Sequence, residues 1–517
     1  MSQSAGGEFL LVVSDTLTAG PGAATGFQIS ASGIAAPGSI SAPSTTQSPS
    51  ALRVGLERSA GAPALDLSYG SRLNASVARR LRPLFLTARA GVSAPRAGAR
   101  FERAAAPPQV GDLLSYNVSA SACDSVVVHP ARVVAVGTTA LVAVDTLDPP
   151  DGFVAADYQR FAATFDTLVY PLDVANFGIP TDIDANGHVV LLFTRAVNEL
   201  TARNSDSYVG GFFFARDLFP TTAAVAADAC AGSNDAEMFY LLAPDPTGLV
   251  NGNVRTPGFV DSLTTSLVAH EFQHLINGSR RLYVNNADDF EVVWLNEGLS
   301  HIAEELLFYR QAGLTPRQNI NAPALRASRA AVDAFNADQS ANAGRYQLFL
   351  SAPTKSSPIR NDDSLSTRGA TWDLLRYAAD RKVQGAGSGS EAAVWQALVN
   401  STTTGVSNLR AVFGSDLGAL LRDWSVSQYA DDVATSASAA FSQPSWNWHS
   451  LFAALGGGNG GFPLAASTLT AGGVSGSAIP GGSAYYRFAI PAGGAASITL
   501  SAATGGSSLS GVVLRIR

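Results

Sequence analysis

The sequence predicts an α+β protein, and three observations carry that expectation. Strand-like apolar runs dominate up to about residue 245, helical spacing dominates from about 260 to 432, and turn-rich alternation returns at the C-terminal end. The 517 residues suffice for roughly two to four domains. Hydrophobic residues make up 46% and charged residues 15%, which allows a sizeable core and excludes wholesale disorder. The net charge of -7 is mild and argues against nucleic acid or an anionic membrane as the main partner. No run of about 20 apolar residues exists, so no membrane insertion is expected. The opening MSQSAGGEFLLVV lacks the basic start and apolar run of a signal peptide. A secreted or cell-envelope location is expected, with any signal removed before this numbering begins.

Residues 1–105 are rich in Gly, Ala, Ser, Thr and Pro and form a β-rich N-terminal region, an accessory module or a propeptide. Strand-like runs occur at Phe9–Val13 and Gly26–Ser32, SAPSTTQSPSA at 41–51 reads as a linker or long loop, and Ala78–Leu86 as a short basic helix. From about Val110, VVVHPARVVAV and ALVAVD read as strands, and ADYQRFAATFDTLVY carries Phe161, Phe165 and Leu168 at helical spacing. VVLLFT and MFYLLA follow as strands. SLVAHEFQHLIN, LSHIAEELLFYR, GATWDLLRYAAD, EAAVWQALVN and NLRAVFGSDLGALLRDWSVSQYA then read as helices. Residues 106–452 are thus expected as the main domain. The break LGGGNGGFP leads to 453–517, whose alternation and turns predict a small β-sandwich. Cys123 and Cys230 sit in no CxxC pair; they form one disulfide or stay as two buried thiols.

Chemistry concentrates at residues 270–305, which hold three of the six histidines and five of the 11 glutamates. His270-Glu271-Phe272-Gln273-His274 is an HExxH motif, expected by chance about once in 700 chains of this composition. On a helix, positions i and i+4 face the same way, so His270 and His274 can hold one zinc ion and Glu271 can act as general base. Zinc would keep a position for water, lower its pKa to about 7, and let Glu271 take the proton as the water attacks a carbonyl. Leu267, Leu275 and Ile276 surround the motif and predict an embedded helix, where unpaired polar groups are costly and ligation would satisfy them. The third ligand is expected from VVWLNEGLSHIAEELL. Glu297 is assigned to the metal. Glu304, at +7 on the same face, is assigned to bonding a ligand imidazole, and His301 lines the site or caps a network.

HEFQHLIN followed by WLNEGLSHIAEEL resembles the gluzincin peptidases, in which a glutamate on a following helix completes HExxH. WLNEG is similar to the zinc aminopeptidase pattern, and the whole run more closely resembles the hyicolysin-type secreted bacterial metallopeptidases. The resemblance is strong over 270–305. It implies a gluzincin-like catalytic domain with a strand-rich half and a helical half, zinc on the floor of the cleft, and endopeptidase hydrolysis of protein or peptide substrates. The aminopeptidase oxyanion tyrosine has no counterpart, because Ser366 stands at its place; Tyr346, Tyr377 and Arg368 are the candidate oxyanion donors. By the same resemblance the MFYLLA strand would edge the cleft and dock an extended peptide, against a plain core or edge strand. Asp182, Asp184 and Asn186 in DIDANG open either a calcium site or a polar turn. The reading from a different class is a non-catalytic, zinc-containing surface binding protein that works through its β modules.

Overall fold

The computed structural model describes residues 6–18, 22–37, 64–66, 69–75, 108–205, 207–221, 229–384, 390–434, 438–455, 462–502 and 508–517. The linker expected at 41–51 and the helix expected at 78–86 lie outside them. The architecture is mixed α+β, and its contacts divide the chain into two units. One comprises Arg58–Leu307 with Ala392–Thr404; the other comprises Met1–Glu57, Phe308–Glu391 and Gly405–Arg517. Among the described residues no helix is long and apolar enough to cross a membrane.

The second of these units contains a β-sandwich. Strand Gly7–Asp15 is apolar on both faces because both are covered. Phe9, Leu11 and Val13 pack with Phe27, Ile29, Phe488 and Ile490 inside the sandwich, while Leu10 and Val12 pack on Val426 and Ala430 of helix Leu417–Ala430. The strand pairs antiparallel with Ser483–Ile490 on one side and Leu509–Arg515 on the other. Strand Thr25–Ser32 likewise lies between Val474–Ala478 and Ser497–Ala502. The division at residues 105 and 452 is kept as a proposal about chain modules, to which the pairings add that both chain ends build the same two sheets. Helices Ser340–Ser351 and Leu365–Gln384 also belong here, pressed together where Gly369 leaves no room for a Cβ.

The other unit is built on a six-stranded mixed sheet. Its order is Leu113–Asn117, Val128–Val136, Ala140–Asp145, Val189–Thr194, Met238–Leu242 and Gly211–Phe213. VVLLFT and MFYLL run parallel in the middle and are buried at every residue, which is why they read as unbroken apolar runs. MFYLL is therefore an interior strand; the sheet edge is the short Gly211–Phe213, antiparallel to it. Residues 155–177 form a helix with a π turn at Phe165–Val169. Helix Pro257–Ser279 begins with the Thr256 side chain accepting from Phe259 N–H and with proline in its first turn. It is buried continuously from Leu267 to Ser279. Its Phe272 meets Phe165 at 5.0 Å and Tyr170 at 5.4 Å between ring centroids. Gly211 permits the close approach of strand and helix: a Cβ there would lie 2.7 Å from Tyr240 O and 3.0 Å from Leu267 Cδ2.

Candidate metal centre

The helix Pro257–Ser279 presents His270 and His274 one turn apart, and helix Val293–Ala312 brings Glu297 to them. His270 Nε2 lies 3.2 Å from His274 Nε2 and 3.5 Å from Glu297 Oε2, and His274 Nε2 lies 3.4 Å from Glu297 Oε1. Four donors placed tetrahedrally at the usual zinc distance of about 2.0–2.1 Å stand about 3.3 Å from one another. The two imidazole nitrogens stand near that distance from each other, and each stands near it from one oxygen of Glu297, so the three side chains converge closely enough to share one ion. Exposure is 0% for His270 and Glu297 and 6% for His274.

Outer hydrogen bonds select the ligating tautomer of each histidine. Glu304 Oε1 lies 2.7 Å from His270 Nδ1, so the proton sits on Nδ1 and the Nε2 lone pair faces the group. Ser300 Oγ donates to Gln273 Oε1 at 2.7 Å, which leaves its oxygen to accept from His274 Nδ1–H at 3.0 Å. Two bare nitrogens and a carboxylate converging without a cation would repel one another, so the donor chemistry fits a metal ion. The surrounding carboxylates draw positive charge to this point, which a proton or a metal ion can supply. Burial alone would lower the His270 pKa, yet hydrogen bonding to Glu297 and Glu304, with the charge of Glu304 and Glu271, carries it up to about 9. Burial raises the Glu271 carboxyl, opposed by His270 and His274.

Glu271 sits on the motif helix beside His270 and two residues from Gln273, and its Oε2 accepts from the backbone N–H of Phe213 at 2.9 Å. Phe213 belongs to the sheet edge. Just beyond it, Arg216 is buried and fully engaged: it donates to Asp217, Tyr240 Oη and the carbonyls of Asn117, Ser119 and Ser121. The Cys123–Cys230 disulfide closes the adjoining loops, with Gly232 N–H donating to Cys123 O. Asn277 donates to Asn296 at 2.7 Å and links the two ligand-bearing helices. Ser300, Phe213 and Asn296 were not legible as site partners. A backbone N–H has no side-chain signature, and a serine and an asparagine flanking a glutamate read as helix filler.

The His301 ring lies tilted with its centroid 5.0 Å from that of His270, and its Nδ1 lies 3.2 Å from Glu304 Oε1, so His270, His301 and Glu304 form a second close group on the same carboxylate. The three candidate oxyanion donors belong to the other unit and have partners there. Tyr346 donates to Gln428 Oε1, Tyr377 donates to Ala440 O at 2.6 Å, and Arg368 pairs with Asp363 at 2.7 Å. At the DIDANG turn, Asp182, Asp184 and Glu237 bring carboxylate oxygens within 4.8 Å of one another, a further group close enough to hold an ion. Asn186 Nδ2 donates to Asp184, its Oδ1 accepts from His188 N–H, and Gly187 N–H donates to Asp182, which is the bonding of a polar turn.

No protein-family profile matches the chain. Neutral metalloprotease ShpI of Staphylococcus hyicus is similar to it, 30% identical over 148 residues. Those residues span 29% of this chain and 30% of that protein, so the match covers under a third of the relative's length. The similarity relates that segment to a metalloprotease and supports a peptidase.

Proposed function

We propose that the chain is a zinc-dependent metallopeptidase of the gluzincin group, hyicolysin-type, that cleaves internal bonds of proteins or peptides. The observation that carries this reading is the three-donor set His270, His274 and Glu297, converging closely enough to share one ion, with Glu271 one residue from the first ligand. Among the described residues this group has three protein donors, the set of a catalytic zinc, whereas a structural zinc takes four; that favours the enzyme over a non-catalytic binding protein. When bound, zinc supplies Lewis acidity, which makes water a nucleophile near neutral pH and polarises a carbonyl.

The chain's own residues do the rest. Glu304 and Ser300 hold the two imidazoles in the ligating tautomer and orientation. Phe213 N–H fixes one oxygen of Glu271, which leaves the other to take a proton and pass it to the departing amine. Burial raises the proton affinity of Glu271 above that of a surface carboxylate, as a base that must also act as an acid requires. The Gly211–Phe213 edge is the part of the sheet against which an extended peptide could pair, alternate residues of the peptide meeting it by main-chain hydrogen bonds. We assign the oxyanion to none of Tyr346, Tyr377 and Arg368, whose polar atoms serve their own unit, and no calcium to the DIDANG turn. The disulfide supports a secreted or envelope location.

Hydrolysis of casein tests the reading, run beside Glu271→Gln with zinc quantified in both. The parent should cleave, and the variant should hold about one zinc per chain while cleaving roughly a thousandfold more slowly. If both bind zinc and neither cleaves casein, the peptidase assignment falls.

A further inference from the structure

The edge strand that carries the anchor of Glu271 already has an occupant from the same chain. Residues 64–65 pair in parallel with Ser207–Tyr208 in a separate two-stranded sheet that precedes this edge in the chain, and Asp66 N–H donates to Tyr208 O. The helical turn at 69–75 then lies on the edge itself. The Tyr69 ring stands 5.1 Å from that of Phe212, and Gly70 comes so close that a Cβ would lie 3.0 Å from Phe212 Cβ. Asn74 completes the contact. Its Nδ2 donates to Phe213 O at 3.0 Å, and its Oδ1 accepts from Ala215 N–H at 2.9 Å. A side-chain amide offers one donor and one acceptor, as a peptide unit does, and here it takes a carbonyl and an N–H two residues apart. That is the bonding pattern of one residue of a neighbouring parallel strand. A further outward group, Phe213 N–H, is held by Glu271. Meanwhile Glu271 is 2% exposed, and none of the three candidate ligands exceeds 6%.

We infer that the turn at 69–75 is an internal ligand of the sheet edge at Phe212–Phe213 and of Ala215 just beyond it, and that an extended peptide pairs there only by displacing Asn74. The inference rests on the peptidase reading for its substrate class, an unfolded polypeptide. The described conformation is then the closed one, and apparent substrate affinity is the intrinsic affinity reduced by the fraction of molecules in which the segment has lifted. Asn74 acts against binding, in contrast to the metal ligands, so removing its amide strengthens binding.

Binding of fluorescein-labelled casein to the full, zinc-loaded chain in a Glu271→Gln background measures this without turnover. Asn74→Ala should tighten binding by roughly three- to tenfold, the worth of the hydrogen bonds it releases. Tyr69→Ala opens the same contact by another route and should act in the same direction, which keeps the test intact if one variant folds poorly. Amide exchange at Ala215 should speed up in free Asn74→Ala and slow again when casein is added. Unchanged or weaker casein binding in the folded variants overturns the inference. If the variants bind more tightly and exchange as expected, yet no form carrying Glu271 cleaves casein, the internal ligand stands and the peptidase reading falls.

Discussion

Replacing Glu304 by glutamine should weaken metal binding while leaving the fold in place. Glu304 Oε1 lies 2.7 Å from His270 Nδ1 and 3.2 Å from His301 Nδ1, in a buried position. An ionised carboxylate can only accept, so it keeps the proton on Nδ1 and the lone pair on Nε2. Glutamine has the same shape and can still accept. The bond drops, though, from charge-assisted, about 1.5–3 kcal/mol, to neutral, about 0.5–1.5 kcal/mol. The difference of about 1–1.5 kcal/mol is roughly tenfold in affinity. The amide nitrogen can also turn toward Nδ1 and select the tautomer protonated at Nε2, which cannot ligate; that carries the loss toward a hundredfold. Competition with a fluorescent zinc chelator at neutral pH reads the affinity, and thermal melting of the metal-free protein reads the fold. Glu297→Gln, which removes a donor outright, should lose more than Glu304→Gln. Wild-type affinity in Glu304→Gln would refute the orienting role, and so would a loss that appears only because the metal-free variant no longer melts cooperatively.

Three further outcomes are expected. Replacing Cys123 and Cys230 together by serine opens a loop of 107 residues; chain entropy for about 100 residues predicts a loss near 4–5 kcal/mol, and a change in denaturant stability under about 1 kcal/mol would contradict it. Asp373 is pushed up to about 7 by burial, against hydrogen bonds from Trp424 and Gln428. Its carboxyl is protonated in the fold and ionised in the unfolded chain between about pH 4 and 7. Its contribution is thus full below that window and is lost as pH rises through it, by up to about 1.4 kcal/mol per pH unit. Asp373→Asn should flatten that decline in a series of melts across the window, and an unaltered slope would place the titration elsewhere. Gly369→Ala puts a Cβ 2.3 Å from Arg345 C and 2.4 Å from Tyr346 N. The overpacking, about 1–3 kcal/mol, outweighs the roughly 1 kcal/mol that alanine otherwise gains in a helix, so the melting temperature should fall rather than rise.

How far the sequence reaches depends on how local the determinant is. His270 and His274 are one helical turn apart, so their convergence is fixed by helix geometry alone. Glu297 was reachable because a second motif repeats the signal: His301 and Glu304 follow it at +4 and +7 on one face, and the structure brings that face to the motif helix. The strands at 7–15 and 483–490 were each legible from alternation or apolar runs. Their pairing was not, because period two tells which face of a strand is buried and not which strand lies beside it. MFYLL shows the same limit within one sheet. Its unbroken apolar run fits a strand covered on both faces, and only the pairing on each side distinguishes the interior of the sheet from its edge.

What escaped entirely has a common physical origin. Phe213 holds Glu271 through a backbone N–H that any residue other than proline would offer, and Asn74 meets Phe213 and Ala215 from about 140 positions away. Neither contact constrains composition or period, so neither leaves a pattern to read. Yet these contacts decide where the proton acceptor points and whether the edge beside it is open. The motif residues limit which kind of ion the proposed site could take, since donor type and spacing are properties of side chains on one helix pair. Access to that ion is a property of strand edges and of the distant segments that cover them. A candidate metal site can therefore be legible in the 36 residues 270–305 while the contacts proposed to cover it lie outside them, and here the place to test that cover is the turn at 69–75 rather than the motif.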